Sequence, residues 1–367
     1  MARFSFTGNL NLNGLDSKVP YYREGKTSSG KNYKIFNASV VAAKNNRAYV
    51  ECFGMVQDVI KTMDNESPKA NKVEIAWNDR KDPDVVKSVA GFRKHVYKTD
   101  DARKEYIADY DFVEDLIKDA EELKNGKYTI TGTTSVNVYQ GKISQRYNIQ
   151  SVYAVAEDAK CGLKVNDIFY WNKDGVDTAN WSDEKKIYLN GYVSEYVDKE
   201  MQYIPFTAVL DCSKLDFENE KHMKMLKFKL SGLGLSLIDG KIKCVFKKNN
   251  YYKQNIEFAY NNGAEEVPFD ESLLTDFQKE QIELGLKTVD DFKPAGSTFG
   301  ERKVEYKIVG FNSKGEFENG YVEADSESDF EEHIYIAPKE ESLDDIEKKP
   351  TESKTEVEED DDDDLFG

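Results

Sequence analysis

The segment Gly25-Lys26-Thr27-Ser28-Ser29-Gly30-Lys31-Asn32 comes within one residue of a nucleotide-phosphate loop, in which Gly, four residues and Gly-Lys-Ser or Gly-Lys-Thr wrap backbone amides around a phosphate. Asn32 stands where a magnesium-binding hydroxyl is required, and the following Tyr33-Lys34-Ile35-Phe36 reads as a strand where a helix N-terminus should face the phosphates. Nucleotide hydrolysis is therefore not expected. No Gly-flanked serine, His pair at metal spacing or lysine motif of nucleotidyl transfer appears. The four cysteines (Cys52, Cys161, Cys212, Cys244) and three histidines (His95, His222, His333) stand too far apart for a zinc or iron site. The cysteines read as small buried hydrophobes in a reducing compartment. Asp and Glu number 69, too many for a carboxylate nuclease site to be singled out. The expectation is a binder without catalytic residues, cofactor or metal.

What the chain offers instead is rings interleaved with cations. Lys26, Lys31, Lys34, Lys44, Arg47, Tyr49, Phe53, Trp77, Arg80, Lys81, Arg93, Lys94, Tyr139, Lys142, Arg146 and Tyr147 fall on or beside expected strands and loops of the N-terminal part. From Arg47 onward, strand alternation puts Arg47, Tyr49, Glu51, Phe53 and Met55 on one face and Ala48, Val50, Cys52 and Gly54 on the other. The smaller set suits an interior. The outward set then presents π-faces to bases and cations to phosphates, the chemistry of single-stranded nucleic-acid binding.

Charge is segregated in the same sense. The formal net charge is −18, yet residues 1–104 carry 19 Lys and Arg against 12 Asp and Glu. The end of the chain is the opposite: Glu358, Glu359, Asp360, Asp361, Asp362, Asp363 and Asp364 are seven adjacent carboxylates, followed by Leu365, Phe366 and Gly367. Like charges repel and no apolar face exists to bury, so residues 338–367 are expected to be disordered. A Leu-Phe tip on such a leash serves no packing role and suits a partner's pocket. No segment is apolar enough for export or membrane crossing, so a soluble cytoplasmic protein is expected.

The elements that must position these residues are mainly strands, with α insertions. Phe4 to Leu12, Tyr33 to Ala43 and Arg47 to Met55 read as three strands. The last two form a hairpin around Lys44-Asn45-Asn46, and a flexible basic loop, Asn13 to Lys31, separates the first two. Residues 58–123 read as an insertion, with a strand at Val73 to Trp77 and helices at Asp84 to Val96 and Asp101 to Leu123. Tyr128 to Tyr139 and Ile143 to Val155 make a second hairpin. Three strands, a helical insertion and a hairpin are the order of the OB-fold, a five-stranded barrel whose first loop closes over nucleic acid. After a linker or linking strand at 161–185, similar signals return. Lys186 to Val197 parallels Arg3 to Leu12, each with one glycine where a barrel must bend. Strands follow at Gln202 to Asp211 and Met225 to Gly232, and a hairpin from Lys241 to Lys247 with Tyr252 to Tyr260. A helix capped by Asp270 and a strand at Arg302 to Phe311 complete the series. The expectation is two OB-like barrels in tandem, at 1–160 and 186–337, followed by the tail.

A barrel with a basic, Tyr- and Phe-bearing face and an acidic tail ending DDDDDLFG resembles the single-stranded DNA-binding proteins of bacteria and especially of tailed phages. Residues 126–155 look like the last hairpin of such a barrel. The resemblance implies a non-enzymatic protein that coats single strands during replication, recombination and repair, with homo-oligomers among the forms it permits. It also implies that Asp360 to Asp364, Leu365 and Phe366 recruit replication and repair proteins of the polymerase, helicase or primase class and compete with DNA for the groove. Bacterial tails usually end in Pro-Phe, whereas Gly367 follows Phe366 here. The alternative reading is an acidic DNA mimic or interaction scaffold that blocks a DNA-binding enzyme, against which the basic first third argues.

Overall fold

In the computed structural model, residues 2–335 are described apart from 13–19, 45, 67–70, 100, 125, 140–141, 198–199, 247–249, 267–271, 273, 293–298 and 325–329. The acidic tail lies outside the described residues. Five strands make the first barrel: β1 (Arg3–Asn11), β2 (Asn32–Ala43), β3 (Asn46–Met55), β4 (Lys127–Tyr139) and β5 (Lys142–Ala154). β1 pairs antiparallel with β2 and β4, β2 with β3, and β4 with β5. A single parallel contact between Asn148 and Glu51 closes β5 onto β3. This ring, with helix α1 (Asp109–Lys118) between the third and fourth strands, is an OB barrel.

The ring then repeats. β6 (Gly162–Trp171), β7 (Lys186–Val197), β8 (Glu200–Asp211), β9 (Tyr252–Glu266) and β10 (Phe299–Phe311) pair in the same order. The parallel closure is Ala208 with Tyr306 and Val209 with Lys307. Helix α2 (Glu220–Gly232) occupies the place of α1. The two barrels share an edge, because Arg3 to Thr7 of β1 also pair antiparallel with Gly162 to Asn166 of β6.

Alternation builds these walls. In β3, Ala48, Val50 and Cys52 are buried while Arg47, Tyr49, Glu51, Phe53 and Met55 stand on the opposite face. In α1 the period changes, and Phe112, Val113 and Leu116 turn one stripe onto the barrel. One hydrophobic cluster runs from Phe4 and Phe6 in the first barrel to Phe258 and Ile308 in the second.

Several expectations are corrected. The stretch 161–185, expected as a linker or linking strand, contains β6, which completes the second barrel and belongs to it. Lys186 to Val197 is therefore a second strand, equivalent to β2 rather than β1. The glycine parallel misled because Gly8 and Gly191 mark the same crossing from opposite strands. A Cβ on Gly8 would lie 2.4 Å from the Val41 carbonyl oxygen of β2, and one on Gly191 would lie 2.1 Å from the Tyr170 oxygen of β6. Met225 to Gly232 is helix, not strand, since Leu226 and Leu230 at helical spacing are buried and the Asn219 carboxamide accepts from the amides of Lys221 and His222. Among the described residues, Lys241–Cys244 pairs with Leu235–Ile238 rather than with the following strand; Lys247 lies outside the described residues.

In the first insertion, the helix expected to Val96 ends at Ser88, and His95–Lys98 becomes a strand paired parallel with Ser151 to Tyr153. Arg103–Tyr106 is likewise a strand, paired with it. Tertiary pairing has overridden local propensity at both places. The helix expected from Asp270 begins instead at Asp276, with Thr275 as the first residue of a reciprocal capping box. The loop Asn13 to Lys31 contains a strand, Tyr22–Lys26, which extends β2 as a hairpin turning at Thr27 to Lys31. The phosphate-loop look-alike is this turn. The Thr27 hydroxyl accepts the Lys31 amide at 3.1 Å, where a phosphate loop would leave its amides for ligand.

Candidate nucleic-acid interface

Beyond the contact of Asn148 with Glu51, β5 leaves β3 and pairs with the inserted strand His95–Lys98. Between β3 and the insertion a cleft of about 650 Å³ remains. One wall is barrel: Arg3 of β1, Phe53 and Met55 of β3, Thr133 of β4, and Asn148 to Gln150 of β5. The other is insertion, with Lys61, Trp77, Phe92, Arg93 and His95. Phe53 and Phe92 are 49% and 48% exposed, so each keeps a ring face in solvent. Tyr33 stacks behind Phe53 at 5.7 Å between centroids, and the Arg93 guanidinium lies 5.4 Å from the Phe92 ring.

The walls are held by polar ties. The Gln150 side chain donates to the Phe92 carbonyl at 2.6 Å, which pins the exposed ring to β5. His95 Nδ1 contacts the Gln150 carbonyl oxygen at 3.2 Å, its Nε2 meets Asp109, and its ring stacks on Phe112 at 4.8 Å. Cys52 is no nucleophile here, because burial, reinforced by the charges of Asp109 and Glu51, pushes its thiol well above the ordinary value.

Of the residues expected from sequence, the cleft gathers Phe53, Trp77 and Arg93. Arg47 and Tyr49 lie further along the same outward face of β3, half-buried. Arg80 is spent on structure. It donates to both carboxylate oxygens of Asp111, at 2.8 and 3.3 Å, and lies 4.0 Å over the Trp77 ring, with Lys81 adding a second cation 3.0 Å from Asp111. Lys34 pairs with Glu114 at 2.6 Å and Lys31 with Asp58 at 2.9 Å. Burial lowers the Lys34 pKa, but the Glu114 hydrogen bond and charge outweigh it and leave the pKa raised. Lys94 is buried against Glu105, and Arg146 lies 3.5 Å from Glu51. Lys26 and Lys44 are exposed at hairpin ends away from the cleft lining. Tyr139 and Lys142 pair across the tip of the β4–β5 hairpin; their side chains lie outside the described residues.

Tyr147 is a correction. It is 4% exposed, packed edge-on to Phe4, Phe6 and Tyr260, and its hydroxyl meets that of Tyr306 at 2.9 Å. No base can stack on it. It welds the two barrels, because Tyr306 belongs to β10. Tyr147→Phe is expected to lower stability by about 1 kcal/mol, the net value of one hydrogen bond, in urea unfolding, without changing nucleic-acid affinity. An affinity loss without a stability loss would return Tyr147 to the binding face.

Sequence reading missed Arg3, Lys61, Phe92 and His95. Phe92 beside Arg93, flanked by Gly91, was a legible signal hidden by the helix expected there. Among the described residues, no group of three or more His, Cys, Asp and Glu side chains could hold a metal ion, and no helix is long and apolar enough to cross a membrane.

No family model and no curated protein matches the sequence. Among solved structures, the chain is similar to the wild-type single-stranded DNA binding protein from Thermus aquaticus, with 6% identity, a TM-score of 0.32 and coverage of 86% of this chain and 94% of that one. A deletion mutant of that protein matches with 6% identity, a TM-score of 0.28 and coverage of 71% and 87%. The OB assignment rests on the two closed strand rings, and the chemistry of the cleft on its own side chains.

Proposed function

We propose that this chain binds single-stranded DNA, without strong sequence preference, through the cleft of the first barrel. The observation that carries the reading is the convergence of two solvent-facing rings, Phe53 and Phe92, with Arg3, Lys61 and Arg93 across one groove of an OB barrel. Rings accept any base on a π-face, and cations track the backbone without reading sequence. The protein acts as a non-enzymatic coat in replication, recombination and repair. The form proposed is the phage-type one, which the sequence resembles most. Asp360 to Asp364, Leu365 and Phe366 recruit replication proteins and contend for the groove by charge.

Fluorescence titration with oligo-dT tests this. Binding is expected to weaken with salt at a logarithmic slope of about −0.7 per phosphate neutralised, and to tighten when residues 356–367 are deleted. Absence of oligo-dT binding at low salt would end the proposal. Weaker binding after deletion would remove the tail's competing role.

A further inference from the structure

The second barrel carries charge segregation of its own. Residues 161–338 hold 22 Lys and Arg against 33 Asp and Glu, yet residues 214–248 within them hold 9 against 4. That segment joins β8 to β9, the third and fourth strands of the ring, and so occupies the position of the insertion that walls the first cleft. It folds as α2 and the hairpin Leu235–Ile238 with Lys241–Cys244. Leu226 and Leu230 hold α2 to the core, which leaves Lys221, Lys224, Met225, Lys227 and Phe228 on its outer face, with Lys224 paired to Glu220 at 2.6 Å. Phe228 is 64% exposed and Met225 40%. Between α2, the hairpin and the end of β10 lies a second cleft, of about 930 Å³. Lys227 and Phe228 line it from the helix, and Phe311 from β10, with the two rings 5.9 Å apart.

The correspondence with the first cleft is topological and chemical. In each barrel the segment between the third and fourth strands supplies an exposed phenylalanine beside a cation: Phe92 with Arg93, then Phe228 with Lys227. In each, the fifth strand supplies the facing wall, through Asn148 to Gln150 in β5 and through Phe311 in β10. A barrel that is otherwise strongly anionic would repel a polyanion everywhere else. We propose that the α2 face of the second barrel is a second contact site for single-stranded nucleic acid, engaged when a strand is long enough to leave the first cleft. The inference rests on the reading of the first cleft as a DNA site. It differs from that reading in its residues and in the length of strand it requires.

The test uses the full chain carrying Lys224→Glu, Lys227→Glu and Phe228→Ala, all at exposed positions, with urea unfolding as the check on folding. Oligo-dT of about ten nucleotides fits one OB site, and about forty exceeds two. The variant is expected to bind the short strand as wild type does. It is expected to lose at least tenfold in affinity for the long one, with a salt slope shallower by about 0.7 for Lys227, and by about 1.4 where Lys224 exchanges Glu220 for a phosphate. Unchanged long-strand affinity and slope, with normal short-strand binding, would overturn the second site and leave the first standing. Failure of wild type to bind either strand would overturn both. If deleting residues 356–367 abolished the difference between variant and wild type, the face would belong to the acidic tail instead, and the inference would fall.

Discussion

Phe53→Ala combined with Phe92→Ala is expected to weaken oligo-dT binding at least thirtyfold while leaving the fold intact. Stacking contributes about 1 to 3 kcal/mol per base, so two rings account for about 2 kcal/mol or more. Both side chains are about half exposed, at 49% and 48%, so their removal opens no cavity, and the change in stability is expected to stay within about 0.5 kcal/mol. Phe277→Ala supplies the control. That ring is 69% exposed on the helix Asp276–Glu283, outside both clefts, and its loss should leave affinity unchanged. Equal losses at all three rings would mean that oligo-dT adheres to exposed aromatics generally. No loss in the double variant would dismiss the cleft.

The second large effect concerns stability. Asp167 on β6, 7% exposed, stands beside the shared edge of the two barrels, and Glu195 on β7, 6% exposed, receives the Thr134 hydroxyl from β4 at 3.4 Å. Burial, and then the charge of Glu195, pushes the Asp167 pKa up to about 7; the Ile168 amide, donating at 2.8 Å, pulls the other way. Burial raises Glu195 as well. An aspartate raised in the folded state holds its proton while the unfolded chain, with a pKa near 3.9, releases it, so folding loses stability as pH climbs between about 4 and 7. Above the folded value the cost is constant, and below the unfolded value it vanishes. Asp167→Asn keeps the shape and removes the charge. Its stability advantage over wild type should be near zero at pH 4 and grow to about 4 kcal/mol by pH 8, at 1.36 kcal/mol per pKa unit. A gap that does not change with pH would show that Asp167 titrates normally.

The barrel walls were legible residue by residue. In β3, small residues alternate with large polar or aromatic ones from Arg47 to Met55, and a period of two leaves one way to place them around a core. The β4–β5 hairpin and β1 were legible for the same reason. β6 was not. Gly162 to Trp171 alternates as regularly as β3, but its role depends on pairing with β1 and β9, and no local pattern names a strand's neighbours. The insertion failed similarly, since His95 to Lys98 became a strand only because β5 offered an unpaired edge beyond Asn148.

Composition and order along the chain determined where the charge and the rings lie: rings among cations in the first third and carboxylates crowded at the end. Which ring faces solvent was decided only by the tertiary structure. Tyr147 and Phe53 sit on strands with equal aromatic character, yet Tyr147 meets Tyr306 across the joined barrels and is sealed, while Phe53 looks into a gap that β3 and β5 leave open. A side chain's periodicity fixes its side of a strand. What lies on that side is set by other elements, from the insertion around Phe92 for Phe53 to Tyr306, 159 residues away, for Tyr147, through the burial of apolar surface between elements that share no local sequence.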